Sequence, residues 1–231
     1  MRAVVIIPCL NEEKTVGKVI ANVRKVFKRL KIESIIISID DASSDDSIKQ
    51  MQGSNEIVNL KNKVKLAEVI RIGLKHAARY NPDIIVHIDA DGQHNPEDLI
   101  KLVKPILRDK ADFVIGSRFL KKNNMNIERK IGNVFFTSIV NLITGLKLTD
   151  TQSGFRVINY DCIKRIKLTS KYTYTQEEII RTSNFGYRIK EVPINLRKRK
   201  YGKSKVITSP IKYGVLVLLD IVKIALTRLF N

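Results

Sequence analysis

At 231 residues the chain is long enough to bury a full core without staples, and its two cysteines, Cys9 and Cys162, form no CxxC pair and no His/Cys cluster. That pattern argues against a disulfide framework or a zinc cage and fits a reducing compartment. A formal charge of +19 points to anionic partners (nucleic acid, an acidic membrane surface or phosphorylated ligands), with a lysine-rich proteome as the plain alternative.

Apolar, β-branched runs alternate with helical patterns. "AVVIIP" (3–8) reads as a buried strand, and 13–30 follows as a helix with Val16, Val19, Ile20, Val23, Phe27 and Leu30 on one face. "SIIISID" (34–40) is a second strand, and 43–51 opens with helix-capping chemistry. A short third strand (56–60), a helix (65–80) and "DIIVHID" (83–89) come next. "PEDLIKLVKPIL" (96–107) starts with proline and acids, as helices do, and "DFVIGS" (112–117) is a fifth strand. Beyond a polar stretch at 121–126, helices are expected over 128–145 and 172–186. Strand character is expected within 149–159 and 187–196. The basic run 197–205 leads into an apolar segment, 213–230, that Asp220, Lys223 and Arg228 interrupt. No stretch offers ~18 uninterrupted apolar residues, and the opening run "AVVII" is too short for a secretory leader.

The alternation predicts an α/β domain with a Rossmann-like, mostly parallel central sheet flanked by helices. In such sheets ligands lie beyond the carboxyl ends of the strands. Polar residues gather there: Pro8, Asn11 and Glu12 after strand one; Asp40 and Asp41 after strand two; Asp89 and Asp91 after strand four; Ser117 and Arg118 after strand five.

The pair in "DADGQH" has four readings: a calcium loop, an aspartate nucleophile of a phosphatase, a metal–nucleotide site, or a solvated turn. The calcium loop fails, because positions six and twelve from Asp89 hold His94 and Ile100 where Gly and Glu are required. A nucleophile is expected nearer the first strand with a later acidic metal motif. In an extended chain residues two apart point the same way. The two carboxylates can then face one hard cation, Mg²⁺ or Mn²⁺, which suits a diphosphate, or one can hold the cation and the other the ligand.

Six motifs, "VVIIPCLNEE", "DDASSDD", "DADGQH", "GSRF", "TQSGFR" and "RKYGKSK", occur in that order over residues 3–206. With them the chain resembles the inverting family 2 glycosyltransferases of the GT-A fold, and most of all the polyprenyl-phosphate sugar transferases of the dolichyl-phosphate mannose synthase type. The resemblance implies a catalytic domain over 1–206 and a C-terminal amphipathic helix in 207–231. It implies donor-nucleotide contacts at Pro8, Asn11, Glu12, Asp40, Asp41 and Asp89, and a metal–diphosphate motif of Asp89, Asp91 and Gln93. It implies an acceptor-phosphate set of Arg118, Arg129, Asn133, Arg199, Ser204 and Lys205, with Asp91, Arg118 and Arg129 closest to the chemistry. Glu177 resembles an acidic position of the acceptor-side helix. Arg156, in "SGFR", reads equally as an anion ligand or a structural ion-pair partner.

The implied partners are a nucleotide sugar, a polyprenyl phosphate lipid, an anionic membrane surface and a membrane-anchoring partner protein, at the cytoplasmic face. The apolar row Val215, Leu218, Leu219, Val222, Leu226 and Leu229 suits a headgroup region, with a helix packed on the domain or in a dimer as the alternative. A transferase to a sugar hydroxyl in polysaccharide synthesis is the main rival, weakened by the absence of tryptophan for a QxxRW-like signature. A nucleotidyltransferase is a more distant rival. A nucleic-acid-binding protein finds no supporting motif, and few aromatics lie among the basic residues.

Overall fold

The computed structural model describes residues 1–121, 125, 127–201 and 210–228. Seven strands form one sheet: β1 (Arg2–Cys9), β2 (Glu33–Asp40), β3 (Glu56–Asn59), β4 (Ile84–His87), β5 (Phe113–Ser117), β6 (Arg156–Asn159) and β7 (Ile189–Pro193), in the order β3-β2-β1-β4-β6-β5-β7. Every pair is parallel except those of β6, which runs antiparallel to both β4 and β5. The expected mostly parallel α/β sheet is therefore present, with one inverted strand inserted between β4 and β5.

The helices are α1 (Val16–Leu30), α2 (Ser47–Gln50), α3 (Leu66–Ala78), α4 (Leu99–Leu107), α5 (Ile127–Thr144), α6 (Tyr160–Ile163), α7 (Tyr174–Asn184) and α8 (Pro210–Arg228). They cover both faces of the sheet, which is why the central strands are continuous apolar runs. In β1 the side chains alternate between two cores. Ala3, Val5, Ile7 and Cys9 join Val19, Val23 and Phe27 of α1 and Leu102 and Val103 of α4. Val4 and Ile6 join Ile70 of α3, Val140 of α5, Ile179 of α7 and Ile221 of α8 on the other face. Both cysteines are buried and free, and burial pushes each thiol up to about 12, so they are core residues without nucleophilic character.

β4 ends at His87, two residues before the expected end of that strand. Asp89 therefore lies just past the ladder, and Asp91 on the turn that follows. The strand alternation expected to align the two carboxylates does not apply there. Pro8, the last residue of the expected first strand, lies within β1, paired with Ile39, and the strand runs on to Cys9.

Candidate active site

The carboxyl ends of β1, β2 and β4 meet on one edge of the sheet, and their loops are stitched together by short polar side chains. The Asn11 amide donates to Ser43 Oγ (2.8 Å), Asn11 Oδ1 accepts from the Ser44 amide (2.7 Å), and the Glu12 amide donates to Ser47 Oγ (2.7 Å). Asn11 and Ala42 both take left-handed backbone conformations (φ 52° and 57°), a strain that these bonds hold in place. Asp40, at the end of β2, is fully buried. Its Oδ2 accepts from the Ser43 amide at 2.9 Å, while Oδ1 has no partner among the described residues, an orphaned acceptor at the strand end. Asp41 accepts from the Val64 amide (2.7 Å), and burial raises its carboxyl above the usual range.

Asp89 and Asp91 occupy distinct environments. Asp89 Oδ2 lies 3.3 Å from His94 Nε2. Burial alone would raise this carboxyl, but the His94 bond and the nearby Arg118 guanidinium hold it below the usual range. Asp91 is raised, first by burial and then by repulsion from Asp89, against the Gln93 amide (2.9 Å to Oδ1), His94 and Arg199. Gly154 makes room for this arrangement: a Cβ there would lie 3.3 Å from Asp89 Oδ2 and 3.0 Å from the Tyr174 hydroxyl. That close approach is a physical role for the glycine in "TQSGFR".

After β7 the chain folds back over the turn that carries Asp91. The Arg197 amide donates to the Gln93 carbonyl (2.8 Å), Gln93 Nε2 donates to the Arg197 carbonyl (3.2 Å), and the Asn195 amide donates to Asp98 Oδ2 (3.0 Å). This brings Arg199 between two acids from different loops. Its Nη1 donates to Asp91 Oδ2 at 3.0 Å and its Nη2 to Glu12 Oε1. Three sequence-predicted residues thus meet around one guanidinium.

Arg118 and Asn133 meet around a residue that sequence reasoning passed over. Asp150, fully buried, accepts from Arg118 Nε (2.6 Å), Arg118 Nη2 (2.8 Å), the Arg118 amide (3.0 Å) and Asn133 Nδ2 (2.8 Å). Glu191 of β7 in turn accepts from the backbone amides of Thr149 and Asp150, each at 2.7 Å. The bidentate fork fixes the plane of the Arg118 guanidinium. Asn133 is buried in this network, and Arg129, one helical turn earlier on α5, is exposed. Ser204 and Lys205 lie outside the described residues.

Arg156 is structural. It is wholly buried and bonds the carbonyls of Thr151 (2.9 Å), Ser153 (2.6 Å) and Thr175 (2.7 Å), with Glu178 at 3.1 Å. Glu177 is also wholly buried, accepting from the amides of Thr169 and Ser170 (both 2.8 Å) and from Arg181 Nε (2.7 Å). The only local signal for Asp150 is its place in "LTDTQSG", ahead of the glycine.

Among the described residues no group of three or more His, Cys, Asp or Glu side chains forms a metal cage. Mg²⁺ and Mn²⁺ ordinarily take one or two carboxylates and complete their shells with water and substrate phosphate, so the lack of such a cage leaves Asp89 and Asp91 as candidate donors.

Comparison with known proteins bears on the family and the fold. The family model described as glycosyl transferase family 2 matches residues 4–167. The UDP-N-acetylglucosamine–dolichyl-phosphate N-acetylglucosaminyltransferase of Methanococcus voltae is 30% identical over 224 residues, covering 87% of this chain and 87% of that protein. The undecaprenyl-phosphate mannosyltransferase of Micrococcus luteus is 30% identical over 219 residues, covering 89% and 88%. Among solved structures, glucosyl-3-phosphoglycerate synthase from Mycobacterium tuberculosis, in complex with Mn²⁺, UDP and glucosyl-3-phosphoglycerate, superposes with a TM-score of 0.73 at 18% identity, covering 98% of this chain and 79% of that one. At that identity the likeness speaks to the fold.

Proposed function

Because the chain belongs to glycosyl transferase family 2 and is a glycosyltransferase, we propose that it transfers a hexose, with inversion, from a UDP- or GDP-sugar to a polyprenyl phosphate, using Mg²⁺ or Mn²⁺. The observation that carries this reading is the convergence of Glu12, Asp91 and Arg199 from three separate segments at the sheet edge where Asp40 leaves an acceptor unpartnered.

In this reading Asp40 Oδ1 accepts an N–H of the nucleobase, and Pro8, Asn11, Glu12 and Asp41 shape the nucleoside site around it. A divalent cation held by Asp89, Asp91 and Gln93 would neutralise the departing nucleoside diphosphate. An acceptor phosphate monoester has its second pKa near ~6 and is already mostly dianionic at neutral pH, so no protein base need deprotonate it. Its oxygen attacks the anomeric carbon opposite the diphosphate; one C–O bond forms as the other breaks. The chain's task is then to hold and orient two anions. Arg118, with its plane fixed by Asp150, faces that task together with Arg129, Arg199, Ser204 and Lys205, while Asn133 acts through Asp150.

The surface supports a lipid acceptor. α8 buries Val217, Ile221 and Ile224 and exposes Val215, Leu219, Val222 and Leu226, so domain packing and an outward apolar row coexist on one helix. α5, which packs beside it, exposes Ile127, Ile131, Val134, Phe135 and Leu142. No helix among the described residues is long and apolar enough to cross a membrane. In this reading residues 1–206 carry catalysis, and 207–231 with α5 rest on the anionic cytoplasmic face of the membrane, where a partner protein would add anchorage.

The test is incubation of the purified protein with Mg²⁺ or Mn²⁺, a panel of labelled UDP- and GDP-sugars, and a short polyprenyl phosphate. A glycolipid from one donor, abolished by Asp91→Ala, is the expected result. No glycolipid from any donor would refute the acceptor assignment.

A further inference from the structure

On the face of the sheet opposite α1, a cleft of about 190 Å³ opens between α7, the loop 169–172 and α8, lined in part by Lys171, Arg181, Lys223 and Thr227. Its floor is rigid. Asp220 Oδ2 accepts from Ser170 Oγ (2.5 Å) and from the amides of Lys171 (3.0 Å) and Tyr172 (2.8 Å). Arg71 Nη1 donates to the Ser170 carbonyl (2.6 Å), and the Tyr213 hydroxyl donates to the Tyr172 carbonyl (2.8 Å). Glu177 holds the amides of Thr169 and Ser170 from below and pairs with Arg181.

Glu177 is charge-paired with Arg181, while Asp220 turns its Oδ2 to neutral donors of the loop and adds one negative charge to the lining. Lys171 and Lys223 have no ion-pair partner among the described residues, so their two positive charges outnumber the single one of Asp220 in the lining. Two exposed lysines on a hydrogen-bonded frame thus bring positive charge to a cleft roomy enough for a tetrahedral group and waters. The cleft also lies on the flank of α8 next to the exposed row of Val215, Leu219, Val222 and Leu226, with Lys223 adjoining Val222.

We propose that this cleft binds a phosphoryl anion, carried either by an anionic lipid headgroup at the edge of the α8 apolar row or by a soluble phosphorylated molecule. It is separate from the cleft of Asp89, Asp91 and Arg118, and does not depend on which sugar acceptor that cleft serves.

Two probes test it on the full chain at low salt. Inorganic phosphate is titrated while the amide resonances of residues 169–172 and 220–227 are followed. Vesicles of phosphatidylcholine, with or without phosphatidylglycerol, are used in a sedimentation assay. Lys171→Gln/Lys223→Gln should abolish the phosphate-induced shifts. It should also lower partitioning onto the anionic vesicles about 30-fold, at about 1 kcal/mol for each lysine near the surface. Thr227→Gln, which fills the cleft without removing charge, should weaken the same binding. Lys25→Gln/Lys28→Gln on α1 removes equal charge from the other side of the sheet and should change it by less than about 2-fold. A response to phosphate alone assigns a soluble source, and a response to anionic vesicles alone assigns a headgroup. Absence of both responses overturns the site. So does wild-type binding by Thr227→Gln, which would mean that diffuse surface charge suffices.

Discussion

Asp150→Asn keeps the shape of the side chain that holds Arg118 but removes its charge. The carboxylate is fully buried and takes four donors, two from the guanidinium at 2.6 and 2.8 Å, the Arg118 amide and Asn133. Burial alone would raise its pKa, yet the Arg118 bonds hold it below the usual range, which marks the pair as ionised and mutually dependent. Breaking a buried pair from one side costs about 3–5 kcal/mol. Arg118 keeps 18% side-chain exposure and so some access to water, which favours the lower end, about 3 kcal/mol. For a chain of this size that corresponds to a fall in Tm of about 6–12 °C. Thermal and urea unfolding of Asp150→Asn, Arg118→Gln and the double variant form the assay. Because the double variant leaves no unpaired buried charge, it should be more stable than additivity predicts by about 2 kcal/mol. Additive losses, or a single-variant loss under about 0.5 kcal/mol, would falsify the claim that Asp150 positions Arg118 through its charge. With a folded-state pKa below the unfolded one, the Asp150 contribution is present above the unfolded pKa and is lost as pH falls through the folded value.

Beneath the site, His87 and Glu178 approach at 3.6 Å; burial lowers the imidazole to about 3 and raises the carboxyl to about 7. A raised acid makes the fold bind more protons than the unfolded chain between about pH 4.5 and 7, so its contribution falls with rising pH, whereas a depressed histidine contributes a rise up to about pH 6.5. From pH 5 to 6.5 these slopes oppose each other in the wild type, and Glu178→Gln should unmask a rise of about 2 kcal/mol, read by urea unfolding at each pH; parallel profiles would count against it. Gly73→Ala places a Cβ 2.6 Å from Ile6 Cγ2 and 2.8 Å from Ile39 Cδ1, and should cost about 1–3 kcal/mol in spite of the better helix former; unchanged stability would show that the α3–sheet contact yields freely. Leu219→Glu/Val222→Glu, on the outer row of α8, should leave the melting temperature within about 3 °C while lowering vesicle flotation at least 10-fold; a large melting loss with unchanged flotation would instead mark the row as a protein contact.

Much of the scaffold follows from local pattern. The runs at 3–8, 34–40 and 112–117 are β-branched and uninterrupted because both faces of a central strand are covered. The 3.6-residue spacing of Val16, Val19, Ile20, Val23 and Phe27 announces the buried stripe of α1. The strand-end acids Asp40, Asp89 and Asp91 were legible for a chemical reason: charged groups at the end of an apolar run must be solvated, paired or bound. The order of the six motifs added the family.

What tertiary structure alone decided is which distant groups share one site. Arg199 is 108 residues from Asp91 and 187 from Glu12, and only the return of the chain after β7 brings them together. The inverted β6, between β4 and β5, sets Arg156 opposite His87 and makes it a buried brace, although the sequence left ligand and brace equally open. Asp150 carries no local mark beyond its place ahead of a glycine in a loop, because its role exists only through Arg118, Asn133 and Glu191 on three other segments. In α8 the sequence singles out an apolar row but leaves membrane and protein both open as its cover; the fold exposes Val215, Leu219, Val222 and Leu226 of that row and takes Val217, Ile221 and Ile224 into the core instead. Periodicity reports that a helix has apolar faces, and only the neighbours it packs against determine which of them is removed from water.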